Sequence, residues 1–443
     1  MPMAIVEPTL PGGFKDYLPE DMIPRQKLFD AIRTVFERFG FVPLDTPCVE
    51  RSEVLTGGDA EFQKQIFYVS QPGGDKDSTA LRFDLTVPLA RVIASYGDKI
   101  SRPFRRYQIG RLWRGERQQA GRYREFAQCD ADIVGVAGMK ADAEIIALMD
   151  SLMTELGFDK YLIRINNRKI LNGLSGYASF ESEKTNTIIR IIDKLDKQPW
   201  SEIESELKEK VSLNDTQIEK IKAFTDIKGE KQEDILNALS KLFWEISIAE
   251  EGISELREIM SYLDAMGVSR TSWTIDSSVA RGLGYYTGPV FETQLLDLKE
   301  IGSVFSGGRY DGLVSRFSKQ NVPAVGASLG IDRLFSAMET LGLVEKKKNV
   351  LQALVLNFEP KAEMKVMQIV SMLRKRGINS ALYQGSENTL KGQLSYAVKE
   401  EVPFVVIVGE SELNENVVLT KNLGTREQVK ETLDECIERI IKG

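Results

Sequence analysis

The chain has 443 residues, a formal net charge of −7 and a pI near 5.2. That length exceeds one typical domain and predicts two or three, while the composition is that of a soluble globular protein and the acidic balance excludes a protein whose main business is coating nucleic acid. There is no histidine anywhere in the chain, which removes His-dependent triads, His general bases and His metal ligands.

In chain order, Pro11 to Pro19 reads as an extended segment, with Gly12, Gly13 and two prolines. Leu28, Ile32, Val35, Phe36 and Phe39 then form an amphipathic helical stripe that ends at Gly40. Phe41 to Pro47 reads as a strand broken by prolines, suited to an edge or an interface. Leu81 to Pro88 reads as a strand with Asp84 and Thr86 on one face. A carboxylate and a hydroxyl two residues apart can bind an ammonium group, although an ordinary strand with one polar face has the same pattern.

Next comes RRYQIGRLWRGERQQAGRYREFAQCDAD, Arg105 to Asp132. Tyr107–Arg114 and Tyr123–Ala131 are predicted as two strands of a hairpin around a polar loop, Gly115 to Gly121. Seven arginines against few carboxylates suit multi-donor recognition of phosphate or carboxylate. Cross-strand Arg–Glu pairs on a solvated hairpin are the alternative. Asp142 to Leu156 is predicted helical and Tyr161 to Ile165 a strand. From about 169 to 266, apolar residues recur at helical spacing in a Lys/Glu/Asp-rich background, which predicts a helical insertion. Asp276 to Gly288 gathers small residues around Arg281, Tyr285 and Tyr286. Gly302–Gly312 reads as a strand entering a glycine-rich turn, and Val325–Arg333 as a strand running into a helix. Lys346–Lys348 is a charged linker. Beyond it strands alternate with helices, the last predicted over Thr425–Ile441, so the C-terminal part is a small α/β domain with a partly parallel sheet.

The hairpin is similar to motif 2 of the class II aminoacyl-tRNA synthetases: an Arg-x-Glu, a variable loop, then a Phe on the returning strand. GRYREFAQCDADIVG narrows the resemblance to histidyl-tRNA synthetases, and RGLGYYTG, Arg281 to Gly288, is similar to their signature. The first helix and strand resemble motif 1, and Gly326 to Arg333 resembles motif 3. The resemblance implies an α+β fold: an antiparallel catalytic sheet flanked by helices over 1–340, with the helical insertion at about 169–266, a linker at 341–348 and an anticodon-binding α/β domain at 349–443. It implies histidine–tRNA ligase activity, with ATP and Mg²⁺, tRNA-His and a homodimer, and no zinc, organic cofactor or membrane.

By resemblance, Arg114 holds the α-phosphate, with Arg122 and Arg333 toward the β/γ end. Phe126 stacks on adenine opposite Arg333, with Glu116 beside it. Asp84, here where many bacterial members have a glutamate, holds the α-amino group with Thr86 and Gln128. Asp132 and Tyr286 face the imidazole, Tyr285 and Tyr310 shape the pocket, and Arg281 sits at the reacting centre. Lys391, Lys399 and Lys421 face RNA or are simply solvated. Gln118 and Gln119 stand in the motif 2 loop where a proline is common at the first position, so the resemblance does not carry over how the tRNA 5′ end is read. The competing reading is a synthetase-like regulatory subunit of ATP phosphoribosyltransferase, which binds histidine without charging tRNA. Such paralogues usually lack the C-terminal domain and have eroded motifs, whereas Arg114, Arg281 and Arg333 are all present here. Cys48, Cys129 and Cys436 are far apart, with no CxxC and no zinc-ligand spacing, which points to a reducing cytoplasm. The N-terminus lacks a signal or transit pattern, and no stretch is apolar enough to span a membrane.

Overall fold

The structure is a computed structural model that describes residues 6–57, 63–70, 73, 78–115, 123–280 and 285–443. It divides into two compact units, one of residues 1–15 and 28–343, the other of 16–27 and 344–443.

The strands of the first unit are β1 (Val42–Pro43), β2 (Val49–Arg51), β3 (Tyr68–Val69), β4 (Thr79–Leu81), β5 (Phe104–Trp113), β6 (Glu125–Val134), β7 (Tyr161–Asn167), β8 (Trp273–Ile275), β9 (Pro289–Leu295), β10 (Phe305–Arg309) and β11 (Ala324–Gly330). Eight of them form one sheet in the order β1-β5-β6-β11-β10-β9-β7-β8. Its interior pairs are antiparallel, and the two edge pairs, β1 with β5 and β7 with β8, are parallel. β2, β3 and β4 form a small separate sheet.

The hairpin strands reach three residues further from the loop than predicted, to Phe104 and Val134, and stop short of it at Trp113 and Glu125. The far end is held because β6 is paired there on both sides, by β5 along its length and by β11 from Gln128 to Val134. Between β7 and β8 the chain is helical, from Arg168–Asn172 to Ser247–Ala265. Ile188, Ile192, Leu207, Phe224, Leu236 and Phe243 of this stretch are buried, so its periodicity reports a packed core.

One expectation fails near the site. β4 stops at Leu81, and Thr86–Tyr96 is a helix with Pro88 in its first turn. Proline is tolerated there because the first N–H groups of a helix have no partner within it. Asp84 therefore lies in the connection, not on a strand face, and its Oδ1 accepts from the Val87 N–H at 3.1 Å.

In the second unit, β12 (Ala353–Val355), β13 (Ser380–Leu382), β14 (Phe404–Ile407), β15 (Val418–Asn422) and β16 (Gln428–Glu431) form a sheet ordered β13-β12-β14-β15-β16. β12 is parallel to β13 and β14, and β15 is antiparallel to β14 and β16. Phe404 and Val406 face one apolar cluster with Val366, Ile369, Leu373 and Ile437. Val405 and Ile407 face another with Tyr383 and Ala397. Helices cover both faces, which is why the central strand reads as a continuous apolar run. The last helix is Leu433–Lys442 rather than Thr425–Ile441, since residues 428–431 are strand β16. Thr432 and Glu435 form a capping box at its start, a sequence signal of helix initiation. No helix among the described residues is long and apolar enough to cross a membrane.

Candidate active site

Side chains alternate across a strand, so Phe126, Gln128, Asp130 and Asp132 share one face of β6. The antiparallel register sets their neighbours in rows across the sheet. Arg106, Asp132, Gly326 and Gly308 form one row over β5, β6, β11 and β10. Gln108, Asp130, Ser328 and Ser306 form the next, then Gly110, Gln128 and Gly330, then Leu112 and Phe126.

The first row is the most buried. Arg106 is fully buried, and its Nη2 lies 2.8 Å from Asp132 Oδ2 and donates to the Leu85 carbonyl at 3.1 Å. Tyr310 donates its hydroxyl to Asp132 Oδ1. Gly326 is required here: a Cβ at that position would stand 1.9 Å from Asp132 Oδ1. Gly308 likewise makes room for the Tyr286 ring, whose Cδ1 would lie 2.8 Å from an added Cβ. Tyr285 packs edge-on against Tyr286 and Tyr310, with centroids 5.0 and 6.1 Å apart. Asp132, Tyr285, Tyr286 and Tyr310 thus surround one end of the face.

Asp84 lies within reach of both Arg114 and Arg106, and Thr86 two residues on faces Tyr285. Arg114 Nε donates to the Phe83 carbonyl at 3.0 Å, and its guanidinium lies 5.1 Å from the centroid of the Phe126 ring. One cation therefore bridges the residue beside Asp84 and the aromatic of β6. Thr86 begins the helix after Asp84, and Arg82 ties this connection to β5 by donating to the Arg111 carbonyl at 3.1 Å. Arg333 lies in the first turn of the helix Ile331–Thr340 and donates to the Ser303 carbonyl at 3.1 Å. Its neighbour Asp332 accepts the Ala127 N–H at 3.1 Å, which fixes that helix start against β6.

Burial dominates the electrostatics. It pushes the Asp84 carboxyl up to about 6, against the Val87 N–H and the charges of Arg114, Arg316 and Arg106. Asp84 remains mostly ionised at neutral pH. Burial raises Asp130 to about 7, with Arg106 opposing and Asp132 assisting. Asp132 is also raised by burial, with Arg106 and Tyr310 opposing. Burial holds the Tyr285 and Tyr310 hydroxyls well above the usual phenol range, so both stay protonated donors.

Of the residues singled out from sequence, Asp84, Thr86, Arg114, Phe126, Gln128, Asp132, Tyr285, Tyr286, Tyr310 and Arg333 are placed as above. Glu116, Arg122 and Arg281 lie outside the described residues, as do Gln118 and Gln119. Sequence reasoning passed over Arg106, Asp130, Asp332 and Arg309. Period-two alternation from Phe126 would have found Asp130. Arg309 needed the fold: it binds the buried Asp142 carboxylate and the Val136 and Gly138 carbonyls, and so anchors the strand end that presents Tyr310.

The family model described as "Histidyl-tRNA synthetase" matches residues 13–334, and "Anticodon binding domain" matches 352–443. The chain is 41% identical to a histidine–tRNA ligase of Clostridium tetani, over 99% of both chains, and 41% identical to one of Wolinella succinogenes, over 95% of both. The solved histidyl-tRNA synthetase of Nostoc sp. PCC 7120 superposes with a TM-score of 0.87 at 33% identity, covering 99% of this chain and 100% of that one. On sequence, fold and site together, the chain belongs to the histidyl-tRNA synthetase family.

Proposed function

We propose that the chain condenses histidine with ATP to histidyl-adenylate and pyrophosphate, then transfers the histidyl group to the 3′ end of tRNA-His. The carrying observation is Arg114, which spans from the carbonyl beside Asp84 to the Phe126 ring. It places a fixed cation between an ammonium-binding acid and a base-stacking aromatic, where an amino acid carboxylate must meet an α-phosphate. Asp84, Thr86 and Gln128 hold the α-ammonium. Phe126 stacks on adenine with Arg333 opposite and Glu116 beside it, and Arg122 and Arg333 serve the β/γ end. Asp132 and Tyr286 face the imidazole, with Tyr285 and Tyr310 lining the pocket.

The histidine carboxylate attacks the α-phosphorus, and pyrophosphate leaves. Arg114 and Arg281 offset the negative charge that builds there. The tRNA hydroxyl then attacks the activated carbonyl, and AMP leaves. ATP enters as its Mg²⁺ complex, and neither step calls for zinc or an organic cofactor. Residues 1–340 carry this chemistry, and 349–443 hold the anticodon end in a cytoplasmic enzyme. Motif 1 builds a homodimer. The edge strand β1 supports this, with Val42 half exposed. Light scattering that finds a single chain's mass at micromolar concentration refutes the dimer.

The test is histidine-dependent ATP–pyrophosphate exchange beside charging of tRNA, repeated with Arg114→Ala and Arg281→Ala. Exchange and charging in the parent, with exchange slowed about 100-fold or more in each variant, is the expected result. Histidine binding with neither activity would replace this reading by the phosphoribosyltransferase regulatory subunit.

A further inference from the structure

The polar floor of the site holds one acid that the roles above leave unused. Asp130 lies between Gln128 and Asp132 on the same face of β6, and it is 1% exposed. Both of its oxygens are buried and make no hydrogen bond of full geometry among the described residues; the Ser328 hydroxyl across the strand pair is the side-chain donor that faces them. Arg106 Nε and Nη1, Gln108 Oε1 and Asp84 Oδ2, all buried, are likewise without partners. Buried polar atoms are normally satisfied, and so many orphans on one floor mark where a polar ligand is received. Asp132 differs from its neighbour. Its Oδ1 accepts from Tyr310, and its Oδ2, although no hydrogen bond is formed to it, lies 2.8 Å from Arg106 Nη2 as an ion pair.

Spacing makes the same point. A strand rises about 3.4 Å per residue, so Gln128 and Asp132 are ~14 Å apart along β6. The α-nitrogen and ring nitrogens of histidine are separated by on the order of 5 Å. A histidine that reaches from Gln128 toward Asp132 therefore passes over Asp130, the residue between them on this face.

We propose that Asp130 is a specificity-determining residue that lies beneath the substrate ring and shares one proton with it, so that histidine binds together with a proton. This rests on the histidine-binding reading above. The proton is held between one Asp130 oxygen and one imidazole nitrogen. The other ring nitrogen donates or accepts toward Tyr286 or Asp132. Charge balance favours this arrangement. Asp130 and Asp132 face one guanidinium, that of Arg106, so the empty floor carries one excess negative charge when both are ionised. One added proton cancels it. A ring without a basic nitrogen cannot take part, which extends discrimination beyond shape.

The charged and titratable groups about Asp130 are Arg106 on β5, Asp132 on β6, Asp84 in the connection after β4 and Tyr285 ahead of β9. From β11 comes the Ser328 hydroxyl, and from β5 the Gln108 amide. Burial, offset by Arg106, brings Asp130 to about 7, close to the ~6.5 of an imidazole. Matched affinities are what proton sharing requires.

The test is calorimetry of histidine binding to the full chain at pH 8 in buffers of different ionisation enthalpy, with the dissociation constant followed from pH 6.5 to 8.5. Uptake of close to one proton is expected in the parent, with affinity falling about tenfold per pH unit at the upper end. Asp130→Asn removes both the uptake and the slope. Binding in the parent with no proton uptake overturns the proposal and leaves the synthetase reading intact. An uptake that persists in Asp130→Asn overturns it as well. Absence of histidine binding in the parent overturns both.

Discussion

Asp130 and Asp84 show what burying a carboxylate does at a working site. Each is almost fully enclosed and shifted upward by burial, to about 7 and about 6. For Asp130 the folded-state value exceeds the ordinary 3.8. The folded chain thus binds more protons than the unfolded chain between about pH 4 and pH 7. The stability tied to the protonated acid is complete below pH ~4 and lost as pH rises through 7. Asp130→Asn removes that loss. Its melting temperature should match the parent at pH 4 and exceed it by about 2 °C at pH 8. A difference of the same size at both pH values would show that the effect is packing and not charge. Asp84 is subject to the same cost, but Arg114, Arg316 and Arg106 all favour its ionised form, as an ammonium-binding role requires.

At the scale of the element, the register of β6 with β5 and β11 decides what the site contains. A one-residue slip would turn the face of Phe126, Gln128, Asp130 and Asp132 away from the pocket. The register is defended by glycine as much as by hydrogen bonds. Gly326 lies opposite Asp132, and its missing Cβ is the space that the Asp132 carboxylate fills. Gly326→Ala should displace Asp132 from Tyr310 and Arg106. The expected result is a KM for histidine raised about 100-fold, from ~3 kcal/mol of lost binding, with the KM for ATP little changed. Equal loss for both substrates would mean that the sheet itself had shifted. The start of the helix Ile331–Thr340 is held against β6 by Asp332, which accepts the Ala127 N–H. That contact brings a motif 3 arginine to a motif 2 strand 200 residues away in the chain.

Across the whole molecule, the proposed function gives chemistry to one unit and RNA recognition to the other, whose residues 352–443 match the anticodon-binding family model. In the second unit, Lys391 and Lys421 line one groove with Leu390, Leu394, Val398 and Leu423, while Lys399 stands at the end of the same helix as Lys391. Lysines that meet phosphates contribute sequence-independent, salt-sensitive affinity. Replacing Lys391 and Lys421 together by alanine should raise the KM for tRNA about tenfold at moderate salt, and leave histidine-dependent exchange unchanged. An unaltered KM for tRNA would return these lysines to a merely solvated surface.

Sequence alone determined the parts of this protein that are local or periodic. The order of motifs was legible because Arg114, Phe126 and Arg333 sit in short spacings tied to strand and turn geometry. The helical stretch between β7 and β8 announced itself by apolar periodicity. Where local signals conflicted, sequence reading failed. Thr86 to Pro88 looked like strand because proline was read as a strand end, yet a helix's first turn accepts proline equally well. Gln428 to Glu431 looked like helix because polar edge strands lack an apolar alternation; only pairing with β15 makes them a strand. Tertiary structure alone decided the site's chemistry. Arg106 beside Asp132, Asp130 enclosed opposite Ser328, and Arg309 on Asp142 are all consequences of burial and of register between distant strands. A carboxylate's charge state depends on what excludes water from it, and no stretch of neighbouring residues carries that information.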